Sequence, residues 1–277
     1  MSDTAVATSA PEAPHRIERV RHETKRRLLT VARVAHVTPN MIRVTLKGAD
    51  LEGFFSAAYD DHIKLFFPRE GETQPVVTVP GAPPLEDGEK PIMRDYTPRR
   101  YDAATGELDV EFAIHEAGPA TQWAMQAAPG HILGIGGPRG SFVVADDFDW
   151  NLFVGDETAL PAIARRLAEL RPGARAIVIA EVTDAAEEQK FDSKALVETI
   201  WLHRGKAEPG KTTLLDEAVA KQKLPSGDGY AWVACESLTA KRLRRILVED
   251  HGHPKQWVKA AGYWKIGAIS VHETHND

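Results

Sequence analysis

The chain has 277 residues, 43% of them hydrophobic, and a formal net charge of −6. That length suits two domains of roughly 100–150 residues with real cores, and excludes a disordered or fibrous chain. The acidic balance argues against a broad nucleic-acid surface, and a single cysteine, Cys235, excludes an internal disulfide and a Cys-rich metal or iron–sulfur site. No run approaches the ~18 continuous apolar residues of a transmembrane helix. The first residues lack a basic start and apolar core, so the expectation is a cytoplasmic protein with no membrane insertion.

Residues 1–23 are rich in Ala, Pro, Ser and Thr and read as a flexible N-terminal arm. The cluster Lys25, Arg26 and Arg27 that follows is either a solvated strand edge or the start of a phosphate-facing surface. Residues 24–145 have the texture of β structure. Residues 28–38 and 41–46 are short β-branched runs parted by Pro39 and Asn40. Residues 62–68 form another strand, 71–91 a long Pro/Gly loop, 106–115 a strand after a Gly106 turn, and 131–142 a last strand and turn. Between them, residues 118–127 read as a helix, with Pro119 at its start, where the missing N–H costs little. Short strands with Gly/Pro turns predict an all-β antiparallel barrel.

Residues 146–277 change texture. Apolar strands at 150–155, 175–182 and 229–236 alternate with helical patterns at 158–170, 211–222 and 239–252, while 194–205 is ambiguous between helix and strand. The alternation predicts an open parallel α/β domain, here with a C-terminal helical extension. A ligand site is expected between the domains, at the carboxyl ends of the strands.

The strongest local feature is Arg94-Asp95-Tyr96-Thr97-Pro98-Arg99. Alternate residues of a strand share a face, Tyr96 offers a ring, Thr97 a hydroxyl, and the arginine fork suits phosphate. On local physics alone, a solvated barrel strand with one structural tyrosine is the favoured reading.

Arg94, Tyr96, Thr97 and Arg99 resemble the RxYTxR flavin motif of the siderophore-interacting proteins, FAD-dependent ferric-siderophore reductases of ferredoxin-reductase-like architecture. Residues 37–46, 61–65, 115–124, 136–142, 152–167, 181–189 and 262–267 resemble further stretches of that family, so the likeness covers roughly residues 25–267.

The resemblance implies FAD as cofactor and NADH or NADPH as electron donor. It implies Tyr96 against the isoalloxazine, Thr97 near its reactive edge, Arg94 and Arg99 on the flavin and its phosphates, and His62, Lys64 and His115 beside it. Gly118, Ala120, Thr121 and Trp123 would form the pyrophosphate seat, where a glycine and a helix start present free N–H groups to an anion. The loop from Gly155 to Pro161 is neither GxGxxG nor a P-loop, and its two acids repel phosphate. Asp156, Thr158 and Ala159 are therefore expected at nicotinamide and ribose. Tyr96, Thr97 and Thr158 are the expected catalytic residues.

Glu181 ends a strand where an acid commonly accepts from a ribose hydroxyl, which favours NADH, while Arg204 and Lys206 suit a 2′-phosphate; the donor stays open. Cys235 stands where the family usually has glycine and reads as a buried, inert thiol. Glu236 and Trp264 are expected at the cofactor, and Lys241, Lys259 and Lys265 on the side of an anionic ferric chelate. No metal site is expected, because the histidines are scattered. The implied activity is FAD-dependent reduction of Fe(III)-siderophore to release Fe(II) for iron acquisition, by a monomer. The alternatives are a general NAD(P)H:flavin oxidoreductase or electron-transfer protein, and a non-catalytic ferric-chelate-binding protein.

Overall fold

The structure is a computed structural model and describes residues 14–77, 90–114, 118–268 and 273–275. Its first half is built from β1 (Ile17–Arg21), β2 (Arg26–Thr38), β3 (Met41–Lys47), β4 (Ile63–Phe67), β5 (Ile92–Tyr96), β6 (Arg100–Asp102), β7 (Glu107–Ala113), helix α1 (Pro119–Gln126), β8 (Ile132–Gly136) and β9 (Gly140–Val144). The alternating pattern of β3 and β7 sets their register. Ile42 faces Phe112, Val44 faces Val110 and Leu46 faces Leu108, all turned into one core. Val44, Leu46, Val110 and Phe112 are completely buried, each contributing about 1.5–3 kcal/mol relative to exposure. A slip of one residue would turn this whole set to solvent.

The sheet has seven antiparallel strands in the order β5-β4-β8-β2-β3-β7-β6. Its two edge strands, β5 and β6, are neighbours in the chain, joined only by Thr97, Pro98 and Arg99. So short a link holds the edges within about 14 Å, at ~3.5 Å per residue. The sheet therefore curls back on itself, yet no ladder joins β5 to β6. The closed barrel expected from the sequence is thus corrected to a curled sheet with an open seam.

The sequence predicts a loose arm through residue 23. In the structure β1 lies inside that stretch and pairs antiparallel with β9, from Ile17 opposite Val144 to Arg21 opposite Gly140. The Lys25–Arg27 cluster opens β2. Arg27 is buried, donating to the carbonyls of Asp50 and Gly137, and Arg26 lies over the Phe66 ring.

The second half has β10 (Trp150–Asp156), α2 (Leu160–Glu169), β11 (Arg175–Val182), β12 (Leu196–His203), α3 (Leu214–Lys221), β13 (Gly229–Glu236), α4 (Ser237–Arg245), β14 (Val258–Trp264) and β15 (Glu273–His275). The ambiguous segment at 194–205 is the strand β12. Sheet order is β12-β11-β10-β13-β14-β15. The first five strands are parallel, but β15 runs antiparallel to β14, so the sheet is mixed rather than purely parallel. The expected C-terminal helical extension is replaced, among the described residues, by this strand pair. Both faces of the sheet are covered, α2 on one and α3 with α4 on the other. That is why β10 reads as an almost unbroken apolar run and is buried along its whole length.

The face carrying α2 also meets the first sheet, bringing Met41 and Tyr59 into its core. Glu187 fastens the β2–β3 turn to this half. Its carboxylate accepts from Thr38 Oγ1 at 2.5 Å, Asn40 N at 3.0 Å and Asn40 Nδ2 at 2.8 Å. No helix among the described residues is long and apolar enough to cross a membrane.

Candidate active site

The open seam faces the carboxyl end of the second sheet, and between them lies a cavity of about 520 Å³. This is within the size range of small-molecule sites, ~300–1,000 Å³. One wall is the seam itself, with Arg94, Tyr96 and Thr97 from β5 and its turn, and His62 just before β4. Tyr96 packs its ring on Phe112 at 4.5 Å, which fixes its plane, and burial raises its hydroxyl well above the ordinary range. Thr97 is hydrogen-bonded to the Tyr263 side chain, and burial likewise raises the Tyr263 hydroxyl.

The start of α1 forms a second wall, with Gly118, Pro119, Ala120 and Thr121. Nothing lies within 4 Å of where a Cβ on Gly118 would stand. The first amides of α1 have no intrahelical acceptor, so they are donors suited to an anion. Deeper in, Glu111 pairs tightly with Arg43, and Arg99 Nε lies 3.7 Å from Glu111 Oε1. Arg99 Nε and Glu111 Oε2 are buried without a hydrogen-bond partner among the described residues, and Arg99, expected at the phosphates, does not itself line the cavity. These residues fit an extended ligand bearing phosphate and an aromatic ring system.

The opposite wall comes from the loop after β10 and from the end of β14. Gly155 allows it: a Cβ there would lie 2.4 Å from Ala159 Cβ and 2.5 Å from the Ala234 carbonyl. Asp156 then turns inward. Its Oδ1 accepts from Thr158 N at 3.0 Å and Thr158 Oγ1 at 2.5 Å, and its Oδ2 accepts from Trp264 Nε1 at 2.8 Å. Burial, followed by the neighbouring charge of Glu157, raises the Asp156 carboxyl to about 7, against the pull of those hydrogen bonds. Asp156 thereby holds two cavity-lining side chains, Thr158 and Trp264, without lining it itself.

Several expected residues lie elsewhere. Lys64 sits opposite Asp95 on the neighbouring strand and pairs with it at 2.9 Å. Trp123 packs into the sheet core against Phe67 and Phe112. Ala159 is fully buried beneath Gly155. Glu236 is buried and caps α4, accepting from Thr239 N at 2.9 Å. His115 lies outside the described residues.

Of the three lysines expected at the substrate, only Lys265 lines the cavity, and it pairs with Glu273 at 3.1 Å. Lys241 is exposed on α4, away from the cavity. Lys259 is turned inward, paired tightly with Asp60 and set over the Phe142 ring. Cys235 is buried, and burial pushes its thiol well up, as an inert thiol requires.

Sequence reading missed Glu111, Glu208 and Lys211, which also line the cavity, as does Glu157, one of the two acids of the loop after β10. Glu157 pairs with Arg204, which also donates to Thr183 Oγ1 at 2.9 Å. Glu181 is buried and accepts from Thr212 Oγ1 at 2.5 Å, and burial raises its carboxyl. No group of three or more metal-binding side chains occurs among the described residues.

Comparison with known proteins agrees with this geometry. Residues 30–142 match the Siderophore-interacting FAD-binding domain and residues 148–267 match the Siderophore-interacting protein family. The chain is 37% identical over 259 residues to the NADPH-dependent ferric-chelate reductase of Escherichia coli (strain K12), covering 91% of this chain and 97% of that one. It is 33% identical over 249 residues to the ferric vibriobactin reductase ViuB of Vibrio cholerae, covering 87% and 90%. A siderophore utilization protein from T. fusca superposes with a TM-score of 0.85 at 38% identity, covering 92% of this chain and 98% of that one. A ferredoxin reductase of carbazole 1,9a-dioxygenase, 15% identical at a TM-score of 0.56, shares the two-domain architecture. The chain belongs to the siderophore-interacting protein family.

Proposed function

We propose that this member of the siderophore-interacting family is an FAD-dependent ferric-siderophore reductase that draws its electrons from NADH or NADPH. The observation that carries the reading is the cavity between the seam and the second sheet, where Arg94, Tyr96 and Thr97 meet Thr158 and Trp264. Bound FAD supplies the redox chemistry, accepting hydride from a reduced nicotinamide and giving electrons singly to ferric iron.

The chain's own groups bind and orient. Tyr96, its ring already seated on Phe112, offers a fixed face at the seam. Arg94 and the first amides of α1 supply positive potential for phosphates, while Arg99 stands behind the wall beside Glu111. Thr158 and Trp264, both tied to Asp156, define the facing side, where the nicotinamide belongs. Holding the two partners in register is worth several kcal/mol of barrier, and no side chain need act as a general acid in hydride transfer. Lys265 at the cavity suits an anionic ferric chelate, the substrate, whose Fe(II) product binds hard oxygen ligands less tightly. The domain division proposed with this reading falls at residues 145–146.

Anaerobic rapid mixing tests it. The FAD-loaded protein is reduced with NADH or NADPH, then mixed with ferric siderophores or ferric EDTA while Fe(II) is trapped. The expected result is reoxidation matched by Fe(II), with siderophores ahead of EDTA. Reduction without chelate-dependent reoxidation would leave a general flavin oxidoreductase, and FAD-independent chelate binding a carrier.

A further inference from the structure

We propose that Arg165 is a positioning residue that sets the spacing between the two walls of the cavity, and so the distance for hydride delivery. The proposal rests on the reductase reading above. Arg165 lies on α2 four residues after Pro161, on the same helix face, and Pro161 lines the cavity. The helix begins directly after Thr158 and Ala159, so α2 carries the nicotinamide-side wall at its own N-terminus.

The Arg165 guanidinium reaches across to the first half of the chain. Nη1 donates to Ser56 Oγ at 2.8 Å and to the Pro98 carbonyl at 3.0 Å, and Nη2 donates to the Ser56 carbonyl at 3.0 Å. Its Nε is held by Glu169 on the same helix at 2.7 Å. Pro98 follows Thr97 in the turn that spans the seam. Ser56 Oγ donates onward to Asp61 Oδ2 at 2.7 Å, which also accepts from Ser141 Oγ at 2.6 Å, and His62 on the cavity wall comes next. One planar fork thus fastens both seam-side segments, the turn at Pro98 and the loop entering β4, to the helix that follows directly on Thr158.

The seam makes this tie matter. With no ladder between β5 and β6, the Thr97–Arg99 turn is held on one side by Arg99 N, which donates to the Asp109 carbonyl at 2.9 Å, and Arg165 ties the turn at Pro98 to α2. A lysine places one ammonium where the fork serves several acceptors, so it retains the charge without the geometry. A misplacement of ~1 Å at the reacting centre costs up to about 100-fold in rate.

The test uses Arg165→Met and Arg165→Lys in the full chain. In the FAD-free protein, hydrogen exchange over residues 54–61 and 97–101 should be faster in both variants, most in Arg165→Met. In the FAD-loaded protein, the rate of reduction by the preferred nicotinamide should fall at least 10-fold in Arg165→Met. Its apparent KM should change less than 3-fold, and oxidation of the photochemically reduced protein by ferric EDTA should stay within 2-fold. Unchanged exchange, or reduction within 2-fold of the wild type, overturns the proposal. If Arg165→Met does not fold, Arg165→Lys decides by the same readouts. If neither nicotinamide reduces the wild type, the reductase reading fails, and exchange alone then decides the role of Arg165.

Discussion

Replacing Lys259 by Met should destabilise the protein by about 3 kcal/mol and leave the affinity for ferric chelate unchanged. The Asp60 side chain is 5% exposed and that of Lys259 19%. Without the lysine, Asp60 keeps only the Trp232 Nε1 donor at 3.2 Å, and its Oδ1 is already buried without a partner among the described residues. Stripping one partner from a buried ion pair costs about 3–5 kcal/mol, and the surviving Trp232 bond sets the lower end. An unfolding entropy of about 2.1 cal/mol/K per residue converts that loss to a Tm fall of about 5 °C for this chain. Thermal melts of the FAD-saturated protein read it, alongside chelate titrations of steady-state rate. The double variant Asp60→Asn/Lys259→Met should recover part of the loss, because the stranded charge is gone. A Tm within 1 °C of wild type, with a raised KM for chelate, would refute this reasoning and return Lys259 to the substrate site.

Three further outcomes are expected. Asp156 titrates near 7 in the folded protein against 3.8 when unfolded, so its contribution to stability is full at low pH and is lost as pH rises through 7. The fall in Tm between pH 5.5 and 8.5 should therefore be shallower in Asp156→Asn, and an equal slope would contradict the burial argument. Gly155→Ala drives a Cβ into Ala159 and the Ala234 carbonyl and should cost about 1–3 kcal/mol by chemical denaturation, whereas a neutral effect would mean the loop after β10 yields freely. His15 hydrogen-bonds Asp147 through Nδ1 at 3.1 Å and Asp228 through Nε2 at 3.0 Å. Partial burial lowers its ring, but these bonds outweigh burial and raise it above 6.5. Its stabilisation is complete below 6.5 and lost as pH climbs past the raised value, so the Tm gap between wild type and His15→Gln should narrow from pH 6 to 9.

The wall that carries Arg94, Tyr96, Thr97 and Gly118 was legible because its signals are local. Arg94, Tyr96 and Thr97 carry their chemistry within a few residues, and Gly118 with Pro119 announces a helix start. Alternating strands and helices likewise announced the second sheet. What stayed hidden is long-range. Nothing near Lys259 in the sequence points to Asp60, nearly two hundred residues earlier, so a strand-borne lysine read as a substrate contact. Glu236 reads as a cofactor contact, yet it caps α4; glutamate is not among the usual N-cap residues, and local capping chemistry would choose Ser237 beside it, so this role was hidden too. The seam was invisible because strand composition does not say whether edges meet. Ile17–Arg21 was read as an arm because a short charged strand becomes one only by pairing with β9.

That pairing makes the passage between the two halves double-stranded. As β9 runs out toward Asp146, the incoming chain lies beside it, with Ala145 N bonded to the Arg16 carbonyl and His15 N to Asp147 Oδ2. A single peptide linker bends at the cost of a few dihedral angles, whereas this one bends only by unzipping a ribbon, like a joint set in a splint. Trimming the chain at residue 22 would therefore remove none of the described cavity residues and yet turn a strut into a hinge.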